Sequence, residues 1–490
     1  GGSTMKKHTK PIIFLVVLIL LAFAIVGCGS KTGINNDVDN KADAKSGEER
    51  DEEDENLNIN KEDIRDKYEA FDLGGRTIKI SSWWPVVPDS NMKKPDPTVY
   101  SEDIAKYENI KRIEEKYNCA IEFIEVPWEQ LESKLEESVL EGSPFADIVY
   151  LPMNFSVSAI AKGYLLPVSE FVSPNSDVLT DNIVVTLMGK LIDDEYGIKT
   201  VEVPDNGVFM GYNKSIIDEL DLETPMEIYK NNFKSWNWEK FLEYAKAATG
   251  DTDGDGEIDR FGYGGFIHRT IANFVVANDG EIFSDFESGK HRLKSPKTIR
   301  ALEFINELYN VHNVAYIAEG DLWNYEANYS SFKNGNILFF PILSWMLEEI
   351  KGLSFEYGIV PFPTGPDNIS GKTCAISYDA FYIPKGVKEP EKVYQVLEEL
   401  LWFFGDNIDL RDAGKEEWLR GLWVTEESYE MSIEVSKYHG KLEMYEFVPD
   451  FPMGEIMGAV ILEGMTVKEA VELYDKQAQD AIDRLLEKNN

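Results

Sequence analysis

The chain has 490 residues, and its 88 acidic against 49 basic side chains give a formal net charge of −39. This charge argues against a nucleic-acid-binding protein, because phosphates attract Lys and Arg, and it disfavours adhesion to anionic lipid. The length exceeds what one hydrophobic core usually organises, so two lobes are expected.

The N-terminus has the pattern of an export signal. Residues 1–4 precede the first methionine, Met5, and are excluded from fold reasoning. An apolar run from Ile12 to Val26 follows a basic stretch; it is short for a spanning helix and typical of a signal-peptide core. The run ends in "IVGCGS", which resembles a bacterial lipoprotein box and predicts a signal peptide over 1–27, with lipidation at Cys28. The alternative is a plain N-terminal membrane helix with an incidental cysteine.

The stretch from 28 to 70 is predicted to be a disordered acidic tether behind the lipidated cysteine. It is rich in Asp, Glu, Lys, Asn and Gly and contains "DEEDE" at 51–55. Its few large apolar side chains cannot offset the entropy lost on ordering the chain. An ordered acidic face would need an apolar stripe that this stretch lacks.

Residues 75–152 alternate predicted strands with predicted helices. "GRTIKISSWW", "AIEFIEVPW" and "ADIVYLP" indicate strands, separated by helices expected over 98–117 and 128–140. This order predicts a doubly wound sheet, in which ligands bind beyond the carboxyl ends of the strands. Those ends carry aromatic residues, among them Trp83, Trp84 and Trp128. Each ring alone would be assigned to core packing, whereas the group favours a binding cleft.

Two cysteines remain besides Cys28. Cys119 and Cys374 each begin a strand-like segment. A disulfide is possible in an extracytoplasmic protein. Two buried free thiols are favoured, because a fold of this size does not need a covalent staple.

The segment "DTDGDGEIDRFGYGG" at 251–265 resembles the start of a calcium-binding loop. Its acidic positions are Asp251, Asp253, Asp255, Glu257 and Asp259. The first nine positions fit, but Gly262 stands where the bidentate Glu of such a loop belongs, and the following residues do not predict a helix. Two interpretations stay open: a helix-to-strand loop that holds one structural Ca²⁺, and a solvated acidic turn.

Further segments carry a family resemblance by their order. A strand ending in Tyr212, Asn213 and Lys214 is followed by a helix pair, by a Trp that opens the next helix, and by the acidic loop. After it come "SPKTIRALEFINELY", "SFKNGNILFFPILSWM", "YGIVPFPTGP", "AFYIPKGVKEPEKVYQVLEELLW" and a C-terminal "EGMTVKEAVELYDKQAQDAIDRLLEK". In this order the segments resemble the extracellular solute-binding proteins of family 1, the sugar-type receptors of ATP-binding-cassette importers.

The resemblance implies an α/β fold of the type II periplasmic-binding-protein kind. Each of two lobes is then a doubly wound sheet, and a hinge joins them. The expected first lobe comprises 71–203 and 371–405, and the second comprises 204–370 and 406–490. Sugar would lie in the cleft between the lobes.

A sugar site needs flat aromatic faces for the apolar C–H surfaces and polar side chains for the hydroxyl groups. The predicted ligand contacts are Trp83, Trp84, Trp128, Asn154, Trp345, Tyr378 and Asp379. By resemblance, Trp345 is the aromatic that stacks on the ligand and Asn154 is a polar contact. Trp323 and Trp423 are weaker candidates, and ordinary packing is the alternative for each residue.

The resemblance implies a binding protein rather than an enzyme. It would capture a carbohydrate, with an oligosaccharide favoured by the many aromatics, and deliver it as a lipid-anchored monomer to a membrane permease. No cofactor is required beyond the possible Ca²⁺. The sequence has no G-x-S-x-G and no metal-protease histidine spacing. The alternatives are a secreted carbohydrate-active enzyme using paired carboxylates, and a sensory or scaffolding lipoprotein on the same fold.

Overall fold

The computed structural model describes residues 65–84, 86, 91, 93–95, 101–172, 184–186, 195–200, 208–284, 288–318 and 320–487. These residues fall in one compact unit, which extends from Lys61 to Asn490. The predicted signal peptide, Cys28 and the tether as far as residue 64 lie outside the described residues. Among the described helices, none combines the length and the apolar character that crossing a membrane requires.

A mixed sheet organises the first part of the unit. Its strands are β1 (Arg76–Ser82), β2 (Cys119–Glu125), β3 (Ile148–Pro152), β4 (Leu165–Leu166), β5 (Val184–Thr186), β6 (Ile198–Thr200) and β12 (Asp379–Pro384). Their order is β2-β1-β3-β12-β6-β5, with β4 on β12. Because β1 runs parallel to both β2 and β3, the predicted β-α-β-α-β unit is confirmed. The late strand β12 enters antiparallel to β3.

Helices cover both faces of this first sheet. They are α1 (Ser101–Tyr117), α2 (Leu131–Leu140), α3 (Met153–Ala161) and α11 (Pro390–Leu401). Successive strand side chains point to opposite faces. In β3, Ile148 and Tyr150 therefore pack in the layer of α1 and α11, whereas Val149 and Leu151 pack in the layer of α2 and α3. This two-sided burial explains the continuous apolar run of β3.

A second mixed sheet organises most of the remaining chain. Its order is β10-β7-β9-β8, from β7 (Val208–Asn213), β8 (Phe261–Tyr263), β9 (Ile337–Leu343) and β10 (Tyr357–Val360). Strands β8 and β9 are parallel, and β7 is antiparallel to both β9 and β10. A short ribbon of β11 (Cys374–Ile376) and β13 (Gly440–Leu442) lies apart from both sheets.

The other helices belong mainly to the core around the second sheet. They are α4 (Lys214–Glu219), α5 (Pro225–Asn231), α6 (Trp238–Ala248), α7 (Ile267–Ala277), α8 (Pro296–Asn306), α9 (Tyr325–Lys333), α10 (Leu347–Ile350), α12 (Ile408–Leu422), α13 (Glu426–Glu434), α14 (Met453–Ile461) and α15 (Val467–Glu487). Side-chain capping determines where several of these helices begin. Thr224 and Glu227 form a capping box before α5, and Asn237 accepts the Lys240 N–H before α6.

Helix α3 joins the cores of the two sheets. Ala159 and Ile160 pack with the first sheet, whereas Met153, Val157 and Ala161 belong to the large cluster around the second sheet. The second set recurs every four residues, which places it on one helix face. This face contacts the short helical turn Tyr445–Phe447 and helix α15. An apolar contact therefore links the two halves beside the end of β3.

Both described cysteines are free thiols. Cys374, the first residue of β11, is fully buried, whereas Cys119, the first residue of β2, is only half-buried. The expectation of unpaired thiols is confirmed. The expectation that both are buried is wrong for Cys119, because the strand β2 lies at the edge of its sheet and leaves that side chain partly open.

Candidate functional site

The carboxyl ends of β1, β2 and β3 gather aromatic rings at one edge of the first sheet. Parallel pairing places these ends together. Trp83 lies 5.0 Å from Trp128 and 5.7 Å from Tyr150 between ring centroids, and Trp128 lies 4.9 Å from Phe155. Trp84 meets Tyr150 edge-on at 6.5 Å. We call these five rings the first aromatic surface.

The rings of this surface are not all core residues. Tyr150 is buried and anchors the group, whereas Trp83 and Phe155 are half-buried and Trp128 is exposed. Trp84 leaves 48% of its surface in solvent. Exposing a large apolar ring to water is unfavourable, so a group of such rings at a sheet edge indicates a binding surface.

Polar candidates lie beside the first aromatic surface. Asn154 is exposed in the first turn of α3, two residues after β3 ends. Asp379 pairs in register with Pro152 at the same edge and is half-buried. Amide and carboxylate groups at this position suit hydroxyl groups of a ligand.

A second group of aromatic rings lies at the edge of the second sheet. Phe266 follows β8 and Trp345 follows the parallel strand β9, so both leave the sheet at the same edge. Tyr325 lies between them, 4.4 Å from Phe266 and 5.9 Å from Trp345. Trp345 and Trp323 leave 52% and 51% of their surfaces exposed. We call Phe266, His268, Trp323, Tyr325 and Trp345 the second aromatic surface.

Packing fixes the orientation of Trp323. Its ring lies nearly parallel to that of His268, at 6.3 Å and 9°. On another side, a Cβ at Gly454 would lie 2.9 Å from Trp323 Cζ2, so a larger residue there would displace the ring. Burial lowers the pKa of His268, which keeps its imidazole neutral near pH 7 and able to donate and accept hydrogen bonds.

One described crossover leads to the edge of the first sheet. Residues 377 and 378 lead from β11, which contacts β7 of the second sheet, to β12, whose first residue Asp379 lies at the edge of the first aromatic surface. Residues 201–207, between β6 and β7, lie outside the described residues.

The structure places Tyr378 in the second crossover. Its ring is half-buried and packs against both the second-sheet core and the α2–α3 layer of the first sheet. Burial raises the pKa of Tyr378, so its hydroxyl stays protonated. Tyr378 therefore contacts the cores of both sheets.

The acidic loop lies away from these surfaces, between α6 and β8. Carboxylate oxygens of Asp251, Asp253 and Asp259 lie within 4.8 Å of one another. Asp251 accepts the Gly256 N–H at 2.8 Å, and Asp259 accepts the Thr252 N–H at 2.9 Å. Such hydrogen bonds lower the pKa of both carboxyl groups and keep them ionised.

The predicted twelfth position of this loop is constrained by packing. Gly262 belongs to β8, and a Cβ there would lie 2.2 Å from the Ala245 carbonyl oxygen of α6. A glutamate ligand therefore does not fit. The loop connects a helix to a strand, as the sequence predicts, and any calcium ligand beyond the loop would have to come from elsewhere.

Sequence reasoning missed part of the second aromatic surface. Phe266, His268 and Tyr325 were not among the candidates, and Trp323 had low weight. The rule used for the first sheet, that rings after parallel strands meet at one edge, identifies Phe266 once β8 and β9 are paired. By contrast, the weak candidate Trp423 is buried and packs edge-on against Phe209 in the core.

Comparison with known proteins gives a family match over 303 of the 490 residues. The family model for "Bacterial extracellular solute-binding protein" matches residues 99–401. A search of curated proteins finds no match.

Several solved structures share the fold at low identity. The cyclic α-maltosyl-1,6-maltose binding protein of Arthrobacter globiformis is 16% identical, with a TM-score of 0.57 over 85% of this chain and 100% of that one. The maltose/maltodextrin-binding domain of Bdellovibrio bacteriovorus, bound to maltotriose, is 16% identical, with a TM-score of 0.52 over 84% and 100%. UgpB of Mycobacterium tuberculosis, with glycerophosphocholine, is 16% identical, with a TM-score of 0.55 over 83% and 98%.

Proposed function

The chain belongs to the family of bacterial extracellular solute-binding proteins and has their two-lobe type II fold, and from this premise we propose that it captures a carbohydrate between its lobes. The observation that carries the proposal is the pair of exposed aromatic surfaces, one at the edge of each sheet. Several structural neighbours are sugar-binding proteins, which supports the same ligand class.

The chemistry of the two surfaces suits an oligosaccharide. Trp84 and Trp345 offer indole faces to the C–H surfaces of sugar rings. Asn154, Asp379 and His268 provide donors and acceptors for hydroxyl groups beside those faces. Rings on both edges provide more stacking area than one monosaccharide covers.

The proposed mechanism is binding by lobe closure, without bond making or breaking. A ligand that contacts both aromatic surfaces only in the closed arrangement stabilises that arrangement by its differential affinity. The crossover at 377–378 would accommodate the change in angle as a hinge does. The closed form would then deliver the sugar to a membrane permease.

We propose further that Cys28 carries a lipid that holds the protein at the extracytoplasmic face of the membrane as a monomer. Two acyl chains suffice for stable anchoring. Mass spectrometry of the mature N-terminus should show a diacylglycerol on Cys28, and C28A should move the protein from the membrane to the soluble fraction. Retention of C28A in the membrane would support an uncleaved N-terminal helix instead.

Binding requires no cofactor in this proposal, and the acidic loop is the place proposed for one structural Ca²⁺. Three carboxylates within 4.8 Å supply the hard oxygen ligands that Ca²⁺ prefers. Ca²⁺ should raise the melting temperature of the full chain, and D251N should remove that rise. An equal rise in both proteins would identify the loop as a solvated acidic turn.

The ligand class is tested by a thermal-shift panel on the full chain. Maltotriose, longer glucans, other oligosaccharides and glycerophosphocholine are compared, each with and without Ca²⁺. A carbohydrate ligand should raise the melting temperature with concentration, as linkage requires. A response to glycerophosphocholine alone would contradict the sugar assignment. Degradation of a responding glycan during incubation would support the enzymatic alternative.

A further inference from the structure

The last helix carries a leucine that its packing does not explain. Helix α15 buries Val467, Val471 and Ala478 on one stripe. Leu473 lies roughly 140° from the centre of that stripe at about 100° per residue, and 61% of its surface is exposed. An amphipathic helix would place a polar residue at this position.

Leu473 forms part of an apolar groove at the turn between α14 and α15. An open cavity of about 430 Å³ is lined by Glu463, Gly464, Met465, Glu469 and Leu473. The exposed Leu462 directly follows α14. The Met465 and Leu473 side chains thus provide the apolar floor.

Carboxylates border the groove. Glu463 and Glu469 both line the cavity. The Glu469 carboxylate accepts hydrogen bonds from the Thr466 N–H and hydroxyl, which lower its pKa and keep it ionised. Lys468, which lies between them in sequence, is 3.9 Å from Glu303. The groove therefore offers an apolar floor with a negative rim.

We propose that this groove is a docking surface for a cationic partner segment that places an apolar side chain between lysine or arginine residues. Exposed apolar patches with a polar rim commonly mark interaction sites. The carboxylates of the rim favour a partner with positively charged side chains. A second copy of this chain is a poor occupant, because two proteins with net charges of −39 repel one another.

The groove is separate from the proposed ligand site. Helix α14 begins beside Trp323 of the second aromatic surface, where Gly454 approaches its ring. The helix has nine residues, so its end lies about 12 Å further along the axis. A partner in the groove would therefore leave the aromatic surfaces free for ligand.

The proposal is tested by methyl NMR on the full chain with labelled leucine and valine. The probe is a short synthetic peptide of leucine and lysine in helical spacing, added without any sugar. The signals of Leu473, in the groove, and of Leu462, next to Glu463, should shift, and the shift should weaken at high salt. Leu140, which is 69% exposed at the end of α2, is the internal control and should not move. Equal shifts at Leu140, or none at the groove, would overturn the proposal.

Two variants separate the apolar and charged contributions. L473E should abolish peptide binding, and E463Q should weaken it roughly threefold, the size expected for an exposed charge. L140E, a change of the same kind at the control site, should bind as the unaltered chain does. A dimer in sedimentation that L473E disrupts would identify a second copy as the occupant and contradict the cationic partner. Because the assay contains no sugar, its outcome is independent of the carbohydrate proposal.

Discussion

Glu443 is a carboxylate enclosed by backbone donors. It is almost fully buried and accepts the N–H groups of Ile282 and Phe283, each at 2.8 Å, together with that of Met444 at 3.0 Å. Burial raises the pKa of Glu443 to about 7, and the backbone hydrogen bonds limit that rise. Glu443 lies between β13 and the turn Tyr445–Phe447, and its hydrogen bonds tie this part of the chain to the segment after α7.

Glu443 should make folding stability depend on pH. Its folded pKa of about 7 lies above the ordinary 4.5, so the folded state binds the extra proton between these values. The contribution to stability is therefore full below pH 4.5 and is lost as pH rises through 7, by roughly 3 kcal/mol in total. Chemical denaturation at pH 5 and pH 8 measures it.

The control for this prediction is E443Q, which cannot titrate. The difference in unfolding free energy between the two proteins should change with pH, in favour of the unaltered chain at pH 5. A difference that is constant from pH 5 to pH 8 would show that Glu443 has the same pKa in both states.

At the residue scale, the sequence predicts where an aromatic residue lies in the fold better than it predicts whether that residue is buried. The rule about strand ends identifies Trp84 and Trp128, which are exposed at the predicted edge. It gives no means to separate Trp345, exposed after β9, from Trp423, buried against Phe209. Trp345 follows a strand and Trp423 directly follows helix α12, and the tertiary contacts decide which ring faces water.

The helix-to-strand loop at 251–262 shows how packing overrides a motif. G262E would restore the missing ligand of a calcium loop, but the new side chain would meet the α6 backbone near Ala245. We expect it to destabilise the fold by about 3 kcal/mol and not to strengthen Ca²⁺ binding. G250A is the matched control, because a Cβ at Gly250 meets nothing within 4 Å. Denaturation and Ca²⁺ titration of both variants provide the measurement, and a stable G262E that binds Ca²⁺ more tightly would contradict this account.

The N-terminal segment at 66–71 is fastened to α1 and α11 by a polar network around the buried acid Glu399. Glu399 accepts the Lys67 N–H at 2.9 Å and is paired with Arg112 at 3.1 Å and Lys116 at 2.8 Å. Its side chain is fully buried. Asp66 adds ion pairs with Arg112 and Lys116, and the Tyr68 hydroxyl donates to Glu398 at 2.6 Å. The segment therefore docks on the first lobe through a polar network with Glu399 at its centre.

Removing this acid should release the segment and cost stability. E399A leaves two cations without their buried partner, so we expect a loss of about 3 kcal/mol. Limited proteolysis should then cut near Lys67 in the variant sooner than in the unaltered chain. E391Q changes an exposed acid on the same helix and should behave as the unaltered chain. Equal cleavage of all three proteins would refute the fastening role.

At the element scale, periodicity predicts strands β1, β2 and β3 and their parallel pairing. The predicted helix from 128 is shorter in the structure: Trp128 to Gln130 form a 3₁₀ turn, and α2 begins at Leu131. The ribbon of β11 and β13 joins residues more than 60 positions apart, and no local pattern specifies such a pairing. Short strands of this kind depend on tertiary contacts.

At the scale of the whole molecule, α3 and the crossover at 377–378 link the two lobes. Met153 and Val157 pack into the second-sheet core, while Tyr378 packs against the cores of both lobes. The sequence order of segments implies two lobes, but the interlobe contact cannot be predicted from it. Apolar residues at helical spacing predict which face of a helix is buried, but they do not predict which other element packs on that face. The lobe boundaries remain predictions.

The most direct test is calorimetric titration of the full chain with a glycan. The glycan is maltotriose, or the member of the panel that raises the melting temperature more. The unaltered chain is compared with W84A, W345A and the control Y438A. Trp84 and Trp345 belong to opposite lobes, and Tyr438 is exposed before β13. If one sugar is held between both aromatic surfaces, W84A and W345A should each weaken binding roughly tenfold, while Y438A binds unchanged. Full affinity in either tryptophan variant would show that the sugar does not bridge the two lobes.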